Sequence, residues 1–451
     1  MIVSEKKIES LPHSRNKLSA VVSAAEVRAV YDEMMAEYTK KVRIDGFRVG
    51  KVPASVLERK FGETLRLEAM SRVLEKAVDS AMAEAEDKPL AYESPSMDGE
   101  PEFAIDKDFA FSVEYDVFPK FELPSMEGLE IVLPRVAVTE DDIQKELEQI
   151  RERNAIVVEK REAAEKGDIA TLSWTELDAA GAPVPGTQRE DFTFEIGKGL
   201  NLYRFDEDII GMLPGSGKQF SKQYPEDYEY KELAGRTVSL SVTLTKLKHK
   251  DIPALDDELA QDISEKYKTV DDLKAAVKSQ LESALEAKMR RTKEKAIVEA
   301  LIARTSIDLP ASMVNAELSM RWESLKREMG IDSDEKMERI AEYSGKSRST
   351  LMEEWKPAVE KAIAGRLLVD KLLESGTYTC TEEDLAAEYA KQAEASSITA
   401  EEVKAEYEKR QSVHYLEEQI REGKLFDALL EKTAINPGES RSYMDFMSGN
   451  E

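Results

Sequence analysis

Between Lys40 and Arg66 the chain carries the opposite charge to its body. The segment KKVRIDGFRVGKVPASVLERKFGETLR holds eight cations (Lys40, Lys41, Arg43, Arg48, Lys51, Arg59, Lys60, Arg66) against three anions (Asp45, Glu58, Glu63). The whole chain has 64 Lys and Arg against 91 Asp and Glu, a formal charge of −27. Arg48 offers a planar fork and Lys51 a point charge, both suited to phosphates or carboxylates. Phe47, set among basic residues, can enter a protein pocket or stack on a base. Gly46 and Gly50 let the backbone turn tightly and come close to a surface. An acidic body repels polyanions, so one small basic loop suits docking on an anionic partner at a single point. A solvated surface hairpin is the plainer alternative.

A second set of residues could act on a bond without attacking it. Trp174, Phe192, Phe194, Leu202, Phe205, Tyr228, Tyr230 and Leu240 are material for a dry apolar pocket. Rotation about an Xaa–Pro bond crosses a barrier of about 18–20 kcal/mol and requires no nucleophile. The twisted amide is less charge-separated than the planar one, so apolar surroundings favour it relative to water. The same side chains could instead fill the core of a β-rich module without catalysis. Other chemistry is not legible. His13, His249 and His414 lie far apart, none is near Cys380, and no metal-ligand spacing or nucleophile–base pairing emerges. Neither a Walker A loop nor a dinucleotide glycine fingerprint is present, so no cofactor and no metal are expected. The single cysteine excludes an intramolecular disulfide and suits a reducing compartment such as the cytoplasm. The N-terminus lacks an apolar signal core, and no run approaches the roughly 18 apolar residues of a membrane span.

These residues need elements to position them. Nine of the 21 glycines fall between Gly167 and Gly235, and none between Gly235 and Gly330. Tight turns use glycine's positive φ, so residues 167–248 read as turn-rich β structure, with long helices after a boundary near 248–256. Val27, Val30, Tyr31, Met34, Met35 and Tyr38 recur at helical spacing and predict a helix over 24–41; Leu65 to Met82 predict a second. Phe109, Phe111, Val113, Tyr115 and Val117 alternate as a strand. Residues 119–138 hold three prolines and read as an extended linker. Thr139 opens a helix to about Asn154, and Thr269, Thr381 and Thr399 each have an acid three positions on, marking further starts. Alternation marks strands at Ala170–Trp174, Phe192–Ile196 and Leu240–Leu244. One long helical pattern covers 270–305, Asp308-Leu309-Pro310 breaks it, and another follows to about Met329. Residues 436–451 read as a disordered tail. The long helices could form a plain bundle or arms whose inner faces hold something.

The run Arg43-Ile44-Asp45-Gly46-Phe47-Arg48-Val49-Gly50-Lys51-Val52-Pro53 resembles the ribosome-docking signature of the trigger factor family of bacterial ribosome-associated chaperones. Tyr115-Asp116-Val117-Phe118-Pro119, Leu129-Glu130-Ile131, Gly167-Asp168, Tyr224-Pro225-Glu226-Asp227-Tyr228 and Leu309-Pro310 extend the resemblance along nearly the whole chain. It implies a multidomain α+β fold: an α/β ribosome-binding domain over 1–118, a linker and returning helix over 119–154, a β-rich FKBP-type prolyl isomerase module over 155–250 and an all-α chaperone domain of long helices over 251–435. It implies docking through Arg43, Gly46, Phe47, Arg48, Val49, Gly50, Lys51 and Pro53, with Val49 where many members carry a cation. In the module, Leu202 and Phe205 stand where the family has Ile-Pro-Gly-Phe, with Tyr203-Arg204 in place of Pro-Gly. The helical arms are expected to offer Leu318, Met320, Leu325, Leu368 and Leu372 to unfolded nascent polypeptide, without ATP and without a membrane. Exchange between monomer and homodimer off the ribosome is a further implication. A stand-alone prolyl isomerase with targeting arms is the alternative from another class, and a structural scaffold a third.

Overall fold

The computed structural model describes residues 2–44, 47–48, 51–199, 201–343, 345–396 and 398–449. Contacts divide the chain into two units: Met1–Leu133 with Arg291–Pro437, and Pro134–Arg290 with Gly438–Glu451.

In the first unit, β1 (Val3–Leu11) and β2 (Arg15–Val22) form a hairpin, followed by α1 (Ala24–Lys41), α2 (Ala54–Ala83), β3 (Ser96–Met97) and β4 (Phe109–Asp116). The antiparallel sheet runs β1-β2-β4-β3. Alternation in β2 and β4 puts Leu18, Ala20, Val22, Phe109, Phe111 and Val113 on one face, against Val27 and Val30 of α1 and Val73, Ala77 and Ala81 of α2. Ser23 caps α1 by accepting from the Glu26 N–H. The second helix begins earlier than its apolar spacing indicated and bends at Phe61 (φ −130°, ψ 18°).

The linker contains β5 (Glu130–Arg135), and α3 (Glu140–Arg153) follows. Thr139 and Asp142 close a reciprocal capping box at its start. The β-rich module comprises β6 (Ile156–Glu159), β7 (Ile169–Leu177), β8 (Arg189–Glu195), α4 (Asp206–Ile209), β9 (Gly217–Gln223) and β10 (Thr237–Asp251). Its sheet runs β6-β10-β7-β8, with β9 also on β10. β10 pairs β7 over Ser239–Lys248, so β9 (opposite 237–243) and β6 (opposite 248–251) must share its other edge.

After the module come α5 (Asp257–Ile263), α6 (Val270–Ile302), α7 (Ala311–Glu328), α8 (Asp334–Tyr343), α9 (Arg348–Ser375), α10 (Glu382–Ser396), α11 (Ala400–Lys409) and α12 (Val413–Lys432). Thr269, Thr381 and Thr399 each accept the N–H of the acid three residues on. The chain end corrects an expectation: instead of a disordered tail, β11 (Ala434–Ser440) pairs β5, and α13 (Tyr443–Ser448) buries Tyr443 and Phe446. Tyr443 packs with Ile143, Leu147, Leu273 and Val277, and apolar burial of this kind outweighs the ordering entropy of a short terminal helix.

Candidate functional site

The cationic segment joins α1 to α2. Val52 and Leu57 are buried with Tyr31, Met34, Met35 and Leu65, and Val42 and Ile44 pack against them, so both ends of the loop are pinned. The Tyr31 hydroxyl donates to Glu58 Oε1 at 3.0 Å. Burial, with Glu58 alongside, pushes the Tyr31 phenol up to about 12. Between these anchors Arg43, Phe47, Arg48, Lys51 and Pro53 are exposed, Phe47 at 41%. Gly46, Val49 and Gly50 lie outside the described residues. All eight cations of the segment are exposed, and none forms an ion pair with a described residue. The neighbouring cations Arg28, Arg72 and Lys76, by contrast, are engaged by Asp32, Asp106, Glu37, Glu68 and Glu33. The arrangement is an apolar-stapled tip that exposes Phe47 and Phe61, with Lys60 5.5 Å from the Phe61 ring centroid, and positive charge unmatched by carboxylates among the described residues.

The aromatic residues of the module do assemble. Trp174 meets Phe192 (4.9 Å between ring centroids), Phe205 (5.7 Å) and Tyr203 (6.2 Å), and Phe194 meets Phe205 (5.9 Å). Leu240 lies in the same cluster, with Leu202 and Tyr228 packed on it. The eight side chains expected to form a dry apolar pocket differ in exposure. Trp174, Phe194, Phe205 and Leu240 are buried and form the module's core. Leu202, Phe192 and Tyr228 are half-buried, and Tyr230 stands in solvent 6.0 Å from the Tyr228 ring. The physical reason is Tyr203, itself buried, which stacks on Phe205 and occupies the space beside Trp174. Its hydroxyl donates to Glu176 Oε1 at 2.8 Å; burial and that carboxylate push its pKa up to about 12. Tyr224 donates to the Tyr203 carbonyl at 2.8 Å, and burial raises its pKa as well. The indole N–H of Trp174 is buried without a hydrogen-bond partner among the described residues.

Two family models match: bacterial trigger factor protein over residues 2–150, and bacterial trigger factor protein C-terminus over residues 269–431. The trigger factor of Treponema denticola is 39% identical, with 98% of this chain and 99% of that one covered. The chain belongs to the trigger factor family. The trigger factors of Treponema pallidum (35% identical, 98% of each chain) and Borreliella afzelii (31%, 99% of each) extend the same relation. A solved trigger factor chaperone structure is 22% identical, covers 95% of this chain and 99% of its own, and has a TM-score of 0.49.

Within this trigger factor fold the five expected client residues do not share one surface. Leu318, Leu368 and Leu372 are buried, a correction to their place on an open inner face. Leu368 and Leu372 are four apart on one face of α9, the face that packs on neighbouring helices, so their spacing reports the core. Met320 is exposed at 53%, and Leu325 is half-buried beside Trp322 and Met337. Sequence reasoning missed two polar arrangements. Asn201 and Asp206 are buried together: Asp206 accepts from Asn201 and from the Gly197 and Gly199 N–H groups, while Asn201 Oδ1 accepts from the Phe205 N–H. They hold the turn that presents Leu202 to Phe205. At the tip of the first hairpin, His13 and Ser14 adopt positive φ and bond to Asp308. An Asn four residues before a backbone N–H that needs a partner was a usable signal for the first; the second is a long-range contact with no local signature.

Proposed function

We propose that this chain is a cytoplasmic chaperone that docks on the ribosome near the polypeptide exit and holds nascent polypeptide without ATP, with a weak prolyl isomerase activity in residues 155–250. Membership of the trigger factor family supports the chaperone reading. One observation carries the docking: eight exposed cations with no ion pair to a described residue, with Phe47 exposed among them, on a chain of formal charge −27. Charge-assisted contacts from Arg48 and Lys51 provide attraction, and Phe47 provides an apolar anchor. A variant carrying Phe47→Ala and Arg48→Ala should lose co-sedimentation with ribosomes in a sucrose gradient, with its far-ultraviolet circular dichroism unchanged. Co-sedimentation at wild-type levels would sink the docking.

The isomerase reading rests on the half-buried Phe192, Leu202 and Tyr228 over an aromatic floor. With Tyr203 filling the interior, a prolyl ring meets a shallow surface, so acceleration should be small. Cis–trans exchange of a proline tetrapeptide, followed with and without the full-length chain, measures it. Identical rates at micromolar protein would remove the enzymatic claim and leave a peptide-binding module.

A further inference from the structure

The strand that leads into the module has one edge without a strand partner among the described residues. β6 lies at the end of its sheet and is paired only through residues 248–251 of β10. Its four residues are all exposed: Ile156 at 66%, Val157 and Val158 each at 46%, then Glu159. Three consecutive β-branched apolar residues in solvent are unusual on an edge, because such strands template pairing with other chains. The common protections are missing over Ile156–Val158: no proline, no bulge in the β6–β10 register and no charge. Both faces are apolar, since Ile156 and Val158 point one way and Val157 the other.

The hydrogen-bond phase shows which backbone groups are available. The Lys160 N–H donates to the Leu247 carbonyl at 2.9 Å, so these residues are a hydrogen-bonded pair. In an antiparallel ladder such pairs alternate. Val158 opposite His249 and Ile156 opposite Asp251 therefore turn their amides toward β10. Val157 and Glu159 turn theirs outward. Four charges near this strand pair with one another: Glu152 and Glu195 each lie near both Lys198 and Lys250, at 3.2–3.7 Å. The edge over Ile156–Val158 presents what every extended chain can read, a main-chain ladder flanked by aliphatic side chains.

We propose that the outer edge of β6 is a strand-addition site for an extended, aliphatic-rich segment of unfolded polypeptide. This rests on the reading that the chain holds unfolded polypeptide. Main-chain hydrogen bonds supply affinity and alternate apolar contacts supply preference. A second copy of this chain is a poorer occupant, because four residues paired with their twins bury far less than the roughly 1,200 Å² of a stable interface. A transient, sequence-tolerant occupant suits so short an edge.

The position of Val157 allows a selective test. Its N–H faces away from β10, so Val157→Pro removes an outward donor and leaves the β6–β10 ladder intact. Val157→Thr keeps the donor and the β-branched shape. The probe is a fluorescent twelve-residue peptide of alternating Val and Thr with a charged residue at each end. Full-length protein should bind it about three- to tenfold more weakly after Val157→Pro, the loss expected for one main-chain hydrogen bond, and near wild-type strength after Val157→Thr. Methylating alternate backbone nitrogens of the peptide should give the same loss on unaltered protein, which keeps the test decisive if the proline variant fails to fold. Equal binding of methylated and unmethylated peptide overturns the strand-addition site. So does a sedimentation shift from dimer to monomer in Val157→Pro, which assigns the edge to self-pairing. Aggregation of a denatured client is measured in parallel: suppression by wild type with no peptide discrimination overturns this site alone, while absence of suppression counts against the chaperone reading itself.

Discussion

Arg204 sits at φ 44°, a region that suits glycine, at the place where the family resemblance puts Gly. The turn keeps its geometry because Asn201 and Asp206 bind its backbone from inside, and Lys222 donates to the Arg204 carbonyl at 2.5 Å. An L-residue there is strained by roughly 1–2 kcal/mol. Arg204→Gly should therefore stabilise the module by about 1 kcal/mol in urea unfolding, even after losing the exposed Arg204–Glu229 pair, which is worth little. Asp168 behaves differently. Its carboxylate is fully buried and accepts from Lys160 Nζ (2.7 Å), His249 Nδ1 (2.8 Å) and the Glu165 N–H (2.9 Å). Burial pushes its pKa up, but the Lys160 ammonium, His249 and the Glu165 amide outweigh that and hold it below the usual carboxylate range. The folded chain thus binds this proton less readily than the unfolded one. The stabilisation is complete above the unfolded value of about 3.9 and is lost as pH falls through the lower folded value. Asp168→Asn should lower stability at neutral pH by about 2–4 kcal/mol and flatten the acid limb of the melting profile below about pH 4.

At the scale of elements, helix starts were legible because their determinants are local. Thr139, Thr269, Thr381 and Thr399 each meet an acid three residues on, a relation within one turn of backbone. Removing the Thr139 hydroxyl and its box by Thr139→Ala should cost about 1 kcal/mol, read as a lower urea midpoint with an unchanged slope. Strands 109–117, 170–174 and 240–244 were legible from alternation. Which side of an alternating strand or helix face meets solvent was not. Leu318 and Met320 are two apart on α7, one buried and one exposed, and that outcome depends on where α9 lies. The aromatic alternation likewise located β7, β8 and β10 but could not show that Tyr203 would close over Trp174. β9 escaped notice because GKQFSKQ has a single large apolar residue.

For the whole molecule, charge arrangement outweighs charge total. A formal −27 repels nucleic acid generally, while the tip over 40–66 has a local excess of five positive charges. Ribosome co-sedimentation should fall steeply between about 0.05 and 0.5 M monovalent salt, since exposed cations are screened within a Debye length of roughly 4–14 Å over that range. The apolar contribution of Phe47 should persist, so Phe47→Ala should weaken docking at both salt concentrations, whereas Arg48→Ala should matter less as salt rises. No described helix is long and apolar enough to cross a membrane. The excess of cations over 40–66 was legible from composition; the ordered chain end was not, because Tyr443 is buried by residues more than 150 positions earlier in the sequence.

β10 is fifteen residues long and serves two tasks, closing the aromatic core with its first part and meeting β6 with its last. Ile156 and Asp251 are consequently opposite one another, with α-carbons separated by about 5.5 Å as in any such pair. The polypeptide enters and leaves this portion at practically one point. A tight two-residue turn can rejoin the flanking backbone after excision, and the removed piece can be grafted into any hairpin whose ends lie equally close, so it is an exchangeable cassette for building chimaeras.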